Sequence, residues 1–205
     1  MNSNPRPDTI VLASNNAGKV REINQLLAPA GIVVRPQREL GIDEVEETGL
    51  SFVENAILKA RHAARASGLA AIADDSGLEV DALNGAPGIY SARYAGSGTA
   101  EGTIDHANCA KLLAALDGLP EVQRGGRFQC VMVYLRHADD PTPLICQGTW
   151  EGRILSVPRG DNGFGYDPVF YVPEQGCSAA ELHAATKNSL SHRGQALAGL
   201  VKQLM

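Results

Sequence analysis

Short apolar runs alternate with helix-spaced apolar stripes along most of this chain. Thr9 to Ala13 (TIVLA) is an apolar run, the polar turn Ser14-Asn15-Asn16-Ala17-Gly18 follows, and Val20, Ile23, Leu26 and Leu27 recur at helical spacing. That order predicts strand, loop, helix. Ile32 to Arg35 predicts a second strand. Ser51 opens S-F-V-E, a capping box in which Ser51 and Glu54 satisfy each other's backbone donors. The helix after it carries Phe52, Val53, Ala56, Ile57, Ala60 and Ala64 on one stripe, with Lys59, Arg61 and Arg65 elsewhere on the wheel and Gly68 as its stop. Leu69 to Ala73 predicts a strand ending in the loop Asp74-Asp75-Ser76-Gly77, with more strand at Leu78 and Val80 before the Asn84-Gly85 turn. Thr103 to Leu116 reads as a helix. Phe128 to Leu135 is a strand apolar on both faces, and Leu144 to Gly148 pairs with it across Asp139-Asp140-Pro141. Ser178 and Glu181 form a second capping box, and Leu197, Leu200, Val201 and Leu204 make the stripe of a closing helix. The expected fold is mixed α/β, with helices alternating along a sheet that has an antiparallel segment. No internal repeat, low-complexity tract or linker breaks the chain, so one domain over 1–205 is expected, with 1–8 a flexible N-terminus.

Composition narrows the function classes. The 205 residues are 44% hydrophobic and 20% charged, as in a folded soluble protein. Eighteen Lys plus Arg against 23 Asp plus Glu give a net charge of −5, which argues against a broad basic face for nucleic acid or anionic lipid. MNSNPRP lacks the order of a signal peptide, and no apolar run approaches the roughly 18 residues of a membrane span. The expectation is a cytoplasmic protein. Cys109, Cys130, Cys146 and Cys177 are far apart in sequence, without a C-x-x-C pair or zinc-ligand spacing, and are expected as reduced, mostly buried thiols.

Three stretches could carry chemistry. Ser14 to Lys19 places small and amide residues, a glycine and a lysine between strand and helix, where backbone N–H groups and the helix dipole favour anions. A polar structural turn is the alternative. Ala13 and Val20 replace the first glycine and the final hydroxyl of a P-loop, which disfavours a P-loop NTPase. The acidic pairs Glu46-Glu47 and Asp74-Asp75, both expected in loops, suit Mg²⁺, which takes one or two carboxylates along with waters and phosphate oxygens. Adjacent residues in extended chain point opposite ways, so one carboxylate of each pair is the inward candidate. Asp75 can serve as metal ligand, proton acceptor or both. Helix entry and turn capping are the alternatives for these pairs, and a glycosidase pair is disfavoured by the phosphate-friendly loop. The segment Gly160-Asp161-Asn162-Gly163-Phe164-Gly165-Tyr166-Asp167-Pro168 concentrates glycine and two aromatics in a protein with 5% aromatic residues. Phe164 or Tyr166 can stack on a base while Asp167 reads its edge, or the segment is a turn with a core aromatic. Lys187 and His192-Arg193 add positive charge suited to phosphate or a base carbonyl, with solvated surface charge as the default.

S-N-N-A-G-K, E-E-T-G-L-S-F-x-E-N-A, A-D-D-S-G-L, G-A-P-G-I-Y-S-A-R-Y, F-G-Y-D-P and S-H-R-G-Q-A-L occur here in one chain and in this order. Together they resemble the inosine triphosphate pyrophosphatase family, most of all its bacterial dITP/XTP branch, from Ile10 to the last helix. Only 1–8 and the 97–105 loop look idiosyncratic. The resemblance implies an elongated α/β fold with a long mixed sheet, flanking helices and two lobes around a central substrate cleft, in a homodimer. It implies Mg²⁺-dependent hydrolysis of ITP, dITP and XTP to the monophosphate and pyrophosphate. By motif, Ser14, Asn15, Asn16, Ala17, Gly18 and Lys19 hold the triphosphate, with Lys59 approaching the phosphates. Glu46 and Asp75 resemble the magnesium ligands, Asp75 also the proton acceptor, Asp74 is supporting, and Ser76 contacts substrate. Phe164, Gly165, Tyr166 and Asp167 form the base-side loop, with Lys187, His192 and Arg193, the last two near the 6-oxo group of the purine. Asn15 stands where the family has glycine, and asparagine tolerates positive φ better than most residues.

Two other classes fit the residues less well. A nucleotide sensor without hydrolysis could use the same loop and aromatics, but two intact acidic pairs speak against it. A nucleic-acid module conflicts with the acidic charge balance and scarce aromatics.

Overall fold

The computed structural model describes residues 8–96 and 103–204. The expectation of a flexible 1–8 lies outside the described residues except for Asp8, whose carbonyl accepts the Val33 N–H at 3.0 Å. Most of the idiosyncratic 97–105 loop lies outside them too. In chain order the elements are β1 (Thr9–Leu12), α1 (Ala17–Leu27), β2 (Val33–Pro36), α2 (Phe52–Ser67), β3 (Ala70–Val80), α3 (Thr103–Ala115), β4 (Gly125–Leu135), β5 (Leu144–Ile154), β6 (Phe170–Val172), β7 (Cys177–Ser178), α4 (Ala184–Leu190) and α5 (His192–Leu204), with short 3₁₀ turns among them. The strands form one sheet in the order β2-β1-β3-β4-β5-β6-β7. β2, β1 and β3 run parallel, whereas β5, β6 and β7 are antiparallel, so the expected mixed α/β sheet is present.

By its internal contacts the chain divides into two compact units. Among the described residues, unit 1 holds 8–75 with 130–147 and 195–204, and unit 2 holds 76–96, 103–129 and 148–194. In unit 1 the central strands β1, β3 and β4 are buried on both faces. Ile10, Leu12, Ala70, Ile72, Cys130, Met132 and Tyr134 pack with Ile23, Leu27, Leu197 and Leu200 from α1 and α5. The intervening Val11, Ala13, Ala71, Ala73, Val131, Val133 and Leu135 pack on Ala56, Ala60, Ala63 and Ala64 of α2. This is why strand 128–135 reads apolar on both faces. In unit 2 the alternation is one-sided. Leu78, Val80, Phe128, Trp150, Ile154 and Phe170 pack on Leu112 of α3 and on Leu116 just after it. The intervening Glu79, Gln129 and Thr149 form hydrogen-bonded polar neighbours instead.

Both predicted caps form, the second as a full capping box. The Ser51 hydroxyl accepts the Glu54 N–H, and Glu54 in turn takes the Leu50 N–H. Ser178 and Glu181 form the reciprocal pair, although the element they open is a 3₁₀ turn. Three strands run further than expected, β4 among them, which starts at Gly125. β5 runs on to Ile154, and β3 is a single 11-residue strand with Asp74 and Asp75 inside it. The acidic pair is therefore not in a loop.

The β4–β5 connection is held by Asp140, whose carboxylate accepts the Arg136 Nε and backbone N–H at 2.8 and 3.0 Å and the Thr142 N–H at 3.0 Å. The Arg136 guanidinium, with these N–H groups, holds the Asp140 carboxyl well below the usual carboxylate range. A depressed carboxylate contributes stability that is whole above the unfolded pKa of about 3.9 and is lost as pH falls through the folded value. Asp140→Asn is therefore expected to lower the melting temperature at pH 7 by about 3–6 °C. The gap to the unaltered chain should narrow on acidification; a gap that is the same in melting curves at pH 7 and pH 3 would contradict this role.

Candidate active site

The first group of candidate residues sits where β1 and β3 end side by side in unit 1. β1 pairs with Ala70 to Ile72 of β3, and the Ala13 N–H makes a last bond to the Ile72 carbonyl at 2.8 Å. β3 continues past that point, which puts Asp74 and Asp75 beside the loop leaving β1. Carboxyl ends of parallel strands are the usual ligand side of an α/β sheet. Asn16 is the N-cap of α1, its Oδ1 accepting the N–H of Gly18 at 2.9 Å and of Lys19 at 3.1 Å. Ser14 Oγ accepts the Asn16 N–H, and Asn15 Nδ2 donates to Glu44. Among the described residues Asn84 is the non-glycine with positive φ, so Asn15 needs no glycine-like backbone. Ala17 is the first residue of α1. Lys19 Nζ donates to Asp74 Oδ2 at 2.7 Å, with side chains 19% and 1% exposed. A cavity of about 180 Å³ here is lined by Ser14, Lys19, Glu44, Glu47, Lys59 and Asp74 among others.

Lys59 joins the second acidic pair. Its ammonium donates to Glu47 Oε1 at 2.6 Å and to Asp75 Oδ1 at 3.1 Å. Burial works against the charged Lys59, but the carboxylates of Asp75, Asp74 and Glu47 outweigh it and push its pKa up. Burial also raises Asp75 above the ordinary aspartate value, with Glu47 adding to the rise, while Lys59 and Asn55 oppose it. Successive carboxylates thus face different lysines, Asp74 toward Lys19 and Asp75 toward Lys59, and both are buried. Of Glu46-Glu47, the structure brings Glu47 to Lys59 and leaves Glu46 exposed, away from the cavity lining.

Asn55 is a partner that the sequence reading missed. Fully buried, it donates to Asp75 Oδ2 at 3.2 Å and accepts the Gly49 N–H at 2.8 Å, tying the acidic loop to β3. Its only sequence signal is its place in E-N-A, one turn before Lys59. Asn55→Ala would strand both groups, and we expect a stability loss of about 2–3 kcal/mol in urea unfolding. A loss below about 0.5 kcal/mol would mean that the two groups find other partners.

Unit 2 holds the remaining candidates. Asp167 takes the Phe164 N–H at 2.8 Å and the Lys187 ammonium, so it orders the 160–167 loop as expected. A Cβ at Gly163, which has φ +84°, would meet that carboxylate at 2.1 Å, so the loop closes this tightly only with glycine there. Gly165 N–H bonds Asp105 of α3 at 2.7 Å, a support outside the predicted set. Phe164 is 54% exposed, with Lys187 Nζ 4.8 Å and the Arg193 guanidinium 5.5 Å from its ring centroid. Tyr166 instead turns into the core and donates its hydroxyl to the Ser91 carbonyl, so its side chain fastens the loop. His192 and Arg193 open α5 and are buried, not solvated: His192 stacks on Phe128 at 4.8 Å, and Arg193 reaches Ser76 Oγ at 3.4 Å. Three of the four thiols are buried, and burial pushes Cys109 up to about 11, so none of the cysteines is placed as a nucleophile.

Among the described residues no three His, Cys, Asp or Glu side chains converge on a metal position. The hard carboxylate oxygens of Asp75, beside the capped loop, and of the exposed Glu46 nevertheless suit Mg²⁺, which needs few protein ligands when a polyphosphate supplies the rest.

A Ham1 family profile matches residues 10–203. A dITP/XTP pyrophosphatase of Vibrio parahaemolyticus is 60% identical over 95% of this chain and 96% of its own length. One from Thioalkalivibrio sulfidiphilus is 63% identical over 95% and 97%. The solved HAM1 protein from Coxiella burnetii superposes with a TM-score of 0.90 at 50% identity, covering 96% of this chain and 98% of that one. The motifs, the mixed sheet and these matches along nearly the whole length agree: the chain belongs to the Ham1 family.

Proposed function

We propose that this chain hydrolyses the triphosphates of deaminated purines, dITP, XTP and ITP, to the monophosphate and pyrophosphate, and so clears them from the nucleotide pool. The names of relatives at about 60% identity support the reaction. The observation that carries it is the pairing of Lys19 with Asp74 and of Lys59 with Asp75 and Glu47 beside the capped loop. Two half-buried cations next to buried carboxylates are what a polyphosphate and its counter-ion require. A sensor that binds without hydrolysis is not favoured.

In this proposal Ser14 to Lys19 and Lys59 take the triphosphate, and the lysines offset the charge that grows on departing pyrophosphate. Asp75 accepts the proton of the attacking water from its buried position beside the capped loop. Mg²⁺ is the proposed ion, with Asp75 and Glu46 as ligands and Glu47 as the anchor of Lys59; when bound it supplies charge neutralisation and acidifies water. In unit 2, Phe164 offers its exposed face to the purine, and Lys187, His192, Arg193 and Ser76 supply polar contacts. Donors toward a 6-oxo group favour hypoxanthine and xanthine and would leave groups unpaired against the amino group of adenine. The single domain, the homodimer and a cytoplasmic place of work belong to the same proposal.

Product analysis tests it. Incubation with Mg²⁺ and, separately, ITP, XTP, GTP or ATP should yield monophosphate and pyrophosphate from the first two and little from the others. Chelation should abolish turnover and added Mg²⁺ restore it. Diphosphate plus orthophosphate, or no product, would overturn the proposal.

A further inference from the structure

A second cavity, of about 330 Å³, lies wholly within unit 2, and none of its lining residues takes part in the proposed hydrolysis. Its polar wall consists of Glu121, Arg124, Arg153, Ser156, Arg159 and Tyr171. Three guanidinium groups thus meet one carboxylate in a chain whose net charge is −5.

The guanidinium groups of Arg124 and Arg153 are held in place, and Arg159 is fixed through its backbone. Arg124 is 6% exposed and donates to the carbonyls of Ile154, Leu116 and Leu155 at 2.9, 2.9 and 2.8 Å, with no carboxylate on it among the described residues. Carbonyl dipoles solvate this cation but do not cancel its charge, so the cavity wall stays positive. Arg153 stands across the β5–β6 pairing from Tyr171, and its guanidinium lies 4.2 Å over that ring. Its Nε is buried without a hydrogen-bond partner, a donor waiting for an acceptor. Arg159 is exposed, with the Glu181 carboxylate within electrostatic reach of its guanidinium, and its backbone is pinned by its N–H on the Pro168 carbonyl and by the Ser178 hydroxyl on its own carbonyl, both at 2.8 Å. Glu121, with a side chain 63% exposed, now takes Arg153 Nη1 and can be released to water at little cost.

We propose that this cavity is a second anion site, for a phosphoryl group carrying more than one negative charge. Planar guanidinium forks match phosphoryl oxygens two at a time, and the volume suits a small polyphosphate or the phosphate end of a nucleotide. The incoming anion replaces Glu121 on Arg153 and supplies the acceptor that Nε lacks.

Calorimetric titration of the full chain with inorganic pyrophosphate, divalent ions chelated, tests the site. Two pyrophosphates per chain are expected, the hydrolytic site and this one, and R153M/R159M should retain one. Because Arg159 is exposed, R159A alone should keep the fold and weaken the second event at least tenfold. E121Q should tighten it about fivefold to tenfold by removing the competing carboxylate. A parallel titration with IMP identifies the source: binding of pyrophosphate without IMP at these arginines marks a free-anion site, and tighter IMP binding marks a nucleotide site. Identical stoichiometry and affinity in the unaltered chain, R159A and E121Q would overturn the proposal. Failure of ITP hydrolysis would sink the proposed reaction and leave these titrations untouched.

Discussion

Replacing Asp75 by asparagine is expected to lower ITP turnover by about three orders of magnitude while moving the melting temperature by only a few degrees. The substitution keeps the shape of a residue that is 8% exposed, and Asn55 can still donate to the remaining carbonyl oxygen. Lys59 keeps Glu47 as partner at 2.6 Å, so no buried cation is left alone. What disappears is the anionic oxygen that accepts the proton, and no neighbouring group replaces it, because Asp74 is directed to Lys19. Assays of pyrophosphate release on the purified variant, with circular dichroism to verify folding, decide the point. Turnover within tenfold of the unaltered chain would remove Asp75 from the role of proton acceptor.

Gly194→Ala has the largest expected effect on structure. A Cβ at this position would lie 1.7 Å from the Asn188 carbonyl oxygen and 2.9 Å from its carbon, so α4 and the start of α5 could not keep their present spacing. The displaced backbone carries Lys187 on one side and His192 and Arg193 on the other. The expected cost is about 3 kcal/mol, a fall in melting temperature of about 6–12 °C. A shift near 1 Å in those donors should lower kcat/KM for ITP about a hundredfold. Gly199→Ala is the control, in the same helix, where the nearest atoms, Cβ and Sγ of Cys146, are at 3.7 Å. A methyl group fits there, and removing glycine from a helix interior should raise stability by about 0.5–1 kcal/mol. Equal effects of the two substitutions would show that contact with Asn188 is not what matters at 194.

Much of the architecture was legible because it depends on neighbours in sequence. The apolar period places α1, α2 and the closing helix, Ser51 and Ser178 announce their caps, and the two-faced apolar run at 128–135 announces a strand buried on both sides. Six motifs in order were enough to point to the family. The limits of local reading show at Asp74-Asp75, where polar residues and a glycine suggested a loop although β3 runs straight through. Pairing along the sheet sustains the strand there, and the local preference for a turn does not prevail.

Which residues meet was a tertiary decision. Lys19 and Asp74 are 55 positions apart, and they pair because the parallel register of β1 and β3 ends one strand just short of the other. Glu46 and Glu47 are equivalent as letters, yet the fold sets Glu47 against Lys59 and leaves Glu46 in solvent. Phe164 and Tyr166 are equal candidates for stacking on a base, yet the fold exposes Phe164 and puts the Tyr166 ring in the core, and it buries His192 and Arg193, whose default as charged letters is solvated surface. Residue type and order determined the elements and the kinship, since capping and periodicity act within a few residues. Partner, burial and charge state were decided by the tertiary structure, since strand register and helix packing choose among chemically similar side chains far apart in the chain.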